Sequence, residues 1–339
     1  MKRILLFVAA LSVLSALSAG AGFIAYSFSS VDPASEQSVL FQVSRGQSVA
    51  SVCQSLEESG LVRSALISRL HVRLYGLTVK AGTYRLSPSQ NTQSIIKTLS
   101  DGKQETKRVT IPEGLTLGKV ASYLESQGFF SRDDFIQTAK DRNLLDEFGI
   151  AASSAEGYLF PDTYFFPLGA DSEIVVRTML RTFFSRISAL EDNPESAKDL
   201  HERIIMASIV EREYRLADEA PLIASVFANR LKIGMGLQSC ATIEYIITEI
   251  EGKAHPSRLL VSDLEIPNDF NTYLWAGLPP GPICSPGLVA IKAAFSYPST
   301  PYLYFRLTDP DTGRHSFTRS LEEHVQAGRQ LYLKKAAGK

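Results

Sequence analysis

Met206-Ala207-Ser208-Ile209-Val210-Glu211-Arg212-Glu213-Tyr214 is the stretch around which this chain is read. Wound from Ile204 to Arg215 as a helix of about 3.6 residues per turn, it puts Ile205, Met206, Ile209 and Val210 on a broad apolar face. Ser208, Glu211, Arg212 and Arg215 fall on the opposite, polar face. Glu213 breaks the pattern, because it sits near the centre of the apolar face, one turn beyond Ile209 and Val210. An ionised carboxylate there loses hydration, which is costly unless it is paired. Two readings follow. Glu213 is a structural residue paired with Arg230 or another Arg, or its pKa rises until it holds a proton near neutral pH, as a general acid must.

The chain opens Met1-Lys2-Arg3 and then carries no charged residue from Ile4 to Val31, a run of 28 positions. A helix needs about 20 apolar residues to cross a bilayer, whereas a signal-peptide core has about 7–15. Residues 1–31 are therefore expected to form a cytoplasmic N-terminus and a retained transmembrane signal anchor. The cationic flank stays inside, and everything after residue 32 lies outside the cytoplasmic membrane. The alternative is cleavage near Ser15-Ala16-Leu17-Ser18-Ala19-Gly20. The 339 residues suffice for one large or roughly two to three modest domains. A net charge of −1 leaves no electrostatic footprint for nucleic acid.

After a polar linker at 32–38 an internal repeat begins. Gly46, Val52, Leu56 and Gly60 match Gly114, Val120, Leu124 and Gly128, every pair 68 apart. The pattern reads as strand, Gly turn, an N-cap at Ser48 or Thr116, an amphipathic helix and a closing Gly. A second similarity follows at an offset of 80, where Thr83, Tyr84, Ile95 and Thr98 match Thr163, Tyr164, Val175 and Thr178. Two tandem α+β modules are expected, at roughly 39–100 and 107–180, the second carrying a 12-residue insertion. The Gly46-Gln47-Ser48-Val49 turn and its helix make 39–106 resemble a LysM-like module, a small peptidoglycan-binding unit; a plain spacer is the other reading.

The second module ends in Glu156-Gly157-Tyr158-Leu159-Phe160-Pro161-Asp162-Thr163-Tyr164. Aromatic faces beside acids suit stacking and hydrogen bonding to sugar rings, although some must serve the core. Residues 191–198 read as a linker. From His201 the chain is α-rich, with a second helix from Pro221 to Leu231, Pro/Gly-dense loops at 267–273 and 277–287, and a strand at Tyr302–Phe305 with His315–Phe317 as hairpin partner. The fold class expected is α+β. An N-terminal transmembrane helix precedes a LysM-like module and a mixed α+β region at 107–330, subdivided into 107–186 and an α-rich part at 200–330.

Seven segments in order, at 156–164, 207–213, 226–231, 234–239, 271–273, 277–281 and 300–305, together resemble the endolytic murein transglycosylase family. The resemblance runs from about Phe41 to Ala327 and includes the preceding anchor. It implies a lyase that cuts peptidoglycan strands between MurNAc and GlcNAc, leaves 1,6-anhydro-MurNAc ends and terminates strand elongation in cell wall assembly. It also implies that the catalytic acid is the second Glu of Glu-x-Glu, Glu213 here. The partners implied are glycan strands, the cytoplasmic membrane in a single pass, and peptidoglycan synthases as candidates; no cofactor is implied. One departure matters. The family's Asp-Pro-Thr-Val after Leu-Gln-Ser/Thr is replaced by Cys240-Ala241-Thr242-Ile243, with Glu244 next.

Glycosidic cleavage needs a proton delivered to the leaving oxygen as positive charge develops at the anomeric carbon. A single carboxyl suffices when the MurNAc C6 hydroxyl is the nucleophile. Glu156, Tyr158, Asp162, Tyr164, Asn229, Gln238, Asn271 and Tyr273 are the candidate substrate-binding residues, and each amide side chain may instead cap a loop. The five His show no metal-ligand spacing, and His315 and His324 read as surface or loop residues. Cys240 and Cys284 form a disulfide or, with Cys53, remain buried thiols. A non-catalytic wall-assembly factor and a hydrolytic muramidase remain the alternative functions.

Overall fold

α1 (Lys2–Phe28) is a 27-residue helix, uncharged from Ile4 on and without a polar period, and its Leu11–Phe28 portion is long and apolar enough to cross a membrane. The structure, a computed structural model, describes residues 2–190, 196–309 and 311–337; residues 191–195 of the expected linker lie outside the described residues. Two units divide the chain. Unit 1 is Met1–Arg108 with Phe165–Ala170, and unit 2 is Val109–Tyr164 with Asp171–Lys339.

Unit 1 continues with β1 (Val39–Val43), α2 (Val49–Glu58), α3 (Ala65–Leu74), β2 (Gly82–Leu86) and α4 (Thr92–Asp101). Ser48, Ser64 and Asn91 start the three helices by accepting the N–H groups of Ser51, Ile67 and Ser94. β1 and β2 pair antiparallel, with Phe41 opposite Tyr84. Val52, Leu56, Ile95, Ile96 and Leu99 close over that pair as the unit's core.

The same order recurs in β3 (Thr106–Thr110), α5 (Leu117–Ser126), α6 (Arg132–Ala139), α7 (Arg142–Glu147), β4 (Thr163–Pro167) and α8 (Ser172–Ser188). α5 begins and ends 68 residues after α2, and β3 pairs with β4 as β1 does with β2. Gly46 and Gly114 share φ values of 76° and 75°, a left-handed turn that costs glycine little. α6 begins 67 residues after α3, so the extra residues are α7 and the segment that follows it.

Unit 2 is built on α9 (Ala197–Glu213), whose residues 204–210 are all buried. α10 (Ala220–Lys232) and α12 (Leu288–Phe295) pack against it. Between them α11 (Cys240–Tyr245) runs into a π-helical turn at Ile246–Ile250, and a 3-10 turn follows at Val261–Glu265. β5 (Tyr304–Asp309) and β6 (Arg314–Thr318) form the expected hairpin, Phe305 opposite Phe317, before α13 (Leu321–Ala337). The architecture is mixed α+β with one N-terminal apolar helix.

One expectation about α9 is corrected. Ser208 is buried and Glu211 half-buried, because the 283–287 loop lies along their side of the helix. Ser208 Oγ accepts Ile283 N–H at 3.0 Å, and Cys284 Sγ donates to the Ser208 carbonyl at 3.2 Å. Glu211 Oε2 accepts Gly287 N–H at 2.9 Å, holding the first residue before α12. All three cysteines are free: Cys53 and Cys284 are buried and Cys240 is exposed.

Candidate active site

Tyr214 turns to φ −75°, ψ 148°, so α9 ends at Glu213 and presents that side chain from its last turn. The C-terminal end of a helix carries partial negative charge, which disfavours a carboxylate there. Burial acts in the same direction and is the largest cause of a raised Glu213 pKa. A hydrogen bond from Ser239 Oγ to Glu213 Oε1, 2.5 Å long, and the nearby His315 and Arg212 pull it part of the way back. Glu244 raises it further. The residue as a whole is half-buried.

Ser239 is held rigidly. Its N–H donates to Thr272 Oγ1 at 3.1 Å, its carbonyl accepts from Thr242 Oγ1 at 2.8 Å, and it is 2% exposed. Gln238 N–H donates to the Thr272 carbonyl at 3.0 Å, and Gln238 adopts φ +51°, a left-handed conformation unusual for a residue other than glycine. Gly236 is required beside it, since a Cβ there would lie 2.9 Å from the Thr272 carbonyl oxygen. Arg230 fastens the same loop from below, donating to the carbonyls of Leu237 at 2.6 Å and Leu303 at 2.7 Å. Its guanidinium also lies 5.3 Å from the centroid of the Tyr304 ring. Arg230 is therefore a strut for the loop, and its donors go to carbonyl groups.

Of the sequence-derived candidates, Gln238 and Tyr273 lie beside Glu213's partner. Gln238 is exposed and adjoins Ser239, while Tyr273 Oη lies 3.1 Å from Cys240 Sγ. Burial drives the Tyr273 phenol pKa up, so it stays a neutral hydroxyl. Asn271 is fully buried and braces the loop, donating to the carbonyls of Leu264 and Ile266 at 2.9 Å each and accepting Tyr273 N–H at 2.9 Å. Asn229 donates to the carbonyls of Thr300 and Tyr302 at 2.7 and 2.9 Å. Both amides are engaged with backbone.

Glu156, Tyr158, Asp162 and Tyr164 form a different group. Both Glu156 oxygens accept Leu117 N–H at 3.0 Å, at the start of α5, and burial pushes the carboxyl pKa up to about 8. Tyr158 is buried against Phe183 and pairs its hydroxyl with His201 Nδ1 at 2.9 Å. Asp162 accepts Arg186 at 2.9 Å, and Tyr164 donates to the Phe160 carbonyl at 2.5 Å. Glu211 is half-buried, its pKa pushed up to about 7 chiefly by burial, with Gly287 N–H opposing and Glu113 adding to the rise. Glu244, the next acid in sequence after the altered Cys240-Ala241 pair, is bound to Arg212 at 2.9 Å.

Local sequence gives Ser239 and Glu219 no distinguishing pattern, although both hold side-chain partners. Glu219 accepts His315 N–H at 3.1 Å and pairs with His315 Nδ1 at 2.8 Å, both side chains buried. His315 was expected at the surface; pairing with Glu219, 96 residues away in sequence, allows its burial. Among the described residues no three His, Cys, Asp or Glu side chains converge as a metal site. A cavity of about 900 Å³ is lined by Asp199, Arg203 and Phe295. Neither Glu213 nor Ser239 lines it, so that carboxyl does not open into this cavity.

A model of the YceG-like family matches residues 41–330. A Bacillus subtilis (strain 168) protein named endolytic murein transglycosylase is 30% identical over 315 residues, covering 88% of this chain and 86% of the relative. A Streptococcus pneumoniae protein of the same name is 29% identical over 351 aligned positions, covering 94% of this chain; the chain spans 64% of that relative's length. The crystal structure of a YceG-like protein from Listeria monocytogenes superposes with a TM-score of 0.57 at 30% identity, over 86% of this chain and 99% of that one.

Proposed function

Because this chain belongs to the YceG-like family, we propose that it is an endolytic murein transglycosylase, a lyase that cuts peptidoglycan glycan strands at the MurNAc–GlcNAc bond. The observation that carries the reading is Glu213, a half-buried residue with a raised pKa at the end of α9, held by Ser239 at 2.5 Å. Glu213 donates its proton to the O4 leaving group as the C1–O4 bond breaks. The carboxylate then takes the proton of the MurNAc C6 hydroxyl, whose oxygen bonds to C1 and closes the 1,6-anhydro ring. The proton returns to Glu213 and no water is consumed. Ser239 steadies the carboxylate at the half-way point.

Gln238 and Tyr273 contact the sugars flanking the scissile bond, and Asn229, Asn271, Glu156, Tyr158, Asp162 and Tyr164 hold the scaffold. α1 anchors the chain in the cytoplasmic membrane with Lys2-Arg3 inside, residues 39–106 act as a LysM-like wall-binding module, and strand cutting ends elongation beside peptidoglycan synthases. The test is muropeptide mass spectrometry after digestion of glycan strands by the wild type and by Glu213→Gln. The variant keeps shape and hydrogen bonding but has no transferable proton, so a loss of roughly 10²–10⁴-fold is expected. Activity within a fewfold of wild type would remove Glu213 from the chemistry.

A further inference from the structure

The exposed face of α3 carries Leu66, Leu70 and Leu74, 72%, 46% and 72% exposed, with Tyr75 beyond them at 69%. Spaced four residues apart, the three leucines form one stripe within about 80° of the helix circumference. The other side of α3 supplies Ile67 and Val72 to the unit 1 interior. Arg69 and Arg73 are exposed and border the stripe. Between Glu58 and Asp101 there is no acidic residue, while Arg63, Arg69, Arg73, Lys80, Arg85 and Lys97 all lie there. An apolar stripe edged by bases, in a segment without acids, has the pattern of a helix lying in the headgroup region of an anionic bilayer.

The position of α3 relative to α1 says which bilayer that is. Arg63, just before α3, donates to Ser29 Oγ at 3.1 Å and to the carbonyls of Ser30 and Val31 at 2.7 and 2.9 Å, with its guanidinium 4.3 Å from the Tyr26 ring centroid. His71, in the middle of α3, meets the Phe28 ring edge-on at 5.3 Å. Thr92 Oγ1 donates to the Ser27 carbonyl at 2.9 Å, and Ser27 is buried. The last turn of the apolar helix is therefore fixed beside α3.

We propose that α3 lies in the surface of the bilayer that α1 crosses, with Leu66, Leu70 and Leu74 in lipid and Arg69 and Arg73 reaching anionic headgroups. This rests on the reading of α1 as a membrane anchor. It makes unit 1 a second membrane contact and fixes its orientation at the bilayer.

The test uses the full chain in vesicles of phosphatidylethanolamine and phosphatidylglycerol with brominated acyl chains. The chain's one Trp is removed by Trp275→Phe, and a reporter is introduced by Leu70→Trp on the stripe or Glu57→Trp on exposed α2. Circular dichroism checks the fold of each variant. Leu70→Trp should emit to the blue and be quenched several-fold more strongly than Glu57→Trp. Adding Arg69→Gln and Arg73→Gln should reduce that quenching. Equal quenching at both positions, in a chain that resists alkaline extraction, overturns the proposal and leaves the anchor standing. Release by alkaline extraction overturns the anchor and the proposal together. Energy transfer between copies at the stripe without lipid quenching makes it a seam between two chains and also overturns the proposal.

Discussion

Replacing Ser239 by Ala removes the hydroxyl that donates to Glu213 Oε1 at 2.5 Å and leaves the carboxyl in place. The backbone should hold, because Ser239 N–H still reaches Thr272 Oγ1 at 3.1 Å. A hydrogen bond to a charged group contributes about 1.5–3 kcal/mol. The low end is the conservative expectation for one neutral hydroxyl donor. About 1.5 kcal/mol makes ionisation of Glu213 about tenfold less favourable. Ser239 favours the carboxylate, so its loss pushes the pKa further up. The alkaline limb of kcat/KM, where the general acid loses its proton, should move about one pH unit higher. kcat should also fall, since the carboxylate needed to accept the C6 proton is no longer steadied. The assay is a pH–rate profile on purified glycan strands for wild type, Ser239→Ala and Ser239→Thr, the last restoring the hydroxyl. An alkaline limb that stays put in Ser239→Ala, or moves to lower pH, would mean that Ser239 does not stabilise the Glu213 carboxylate.

Two further outcomes separate the other buried acids from the chemistry. Glu211→Gln still accepts Gly287 N–H and should keep substantial activity, whereas Glu211→Ala leaves that N–H unpaired and should cost about 1–3 kcal/mol in thermal melts while leaving the alkaline limb where it is. Glu156 has a folded-state pKa near 8, above its unfolded value, so its contribution to stability is complete below about 4.5 and is lost as pH rises to about 8. Melting temperatures should decline across that window more steeply in wild type than in Glu156→Gln; parallel profiles would show that the carboxyl is not held protonated.

The readable parts of this chain were those governed by local periodicity. The repeat at 68 residues marked the N-caps Ser48 and Thr116 of α2 and α5, because cap, Gly turn and apolar spacing are all carried within one short segment. The position of Glu213 on α9 was legible for the same reason. What escaped were partners distant in sequence. Ser208 and Glu211 look solvated on a helical wheel until the 283–287 loop, about 76 residues on, covers them. Asn229 finds its carbonyls 71 and 73 residues away, and Glu156 its N–H 39 residues back. The Glu219–His315 pair spans 96 residues, so no local pattern marked His315 as buried. Gln238's φ of +51° had no signal either, since its neighbour Gly236 is the residue that turn chemistry would have picked.

The central claim is that Glu213 alone closes the anhydro ring, with the C6 hydroxyl as nucleophile and water excluded. Its most direct test is digestion of purified glycan strands by the full chain in heavy-oxygen water, followed by mass spectrometry of the newly formed MurNAc ends. The new ends should be unlabelled, each lighter than a reducing end by one water, and Glu213→Gln should form them roughly 10²–10⁴-fold more slowly. Heavy oxygen at the new ends would mean that water attacks the anomeric carbon, and the protein would be a hydrolytic muramidase.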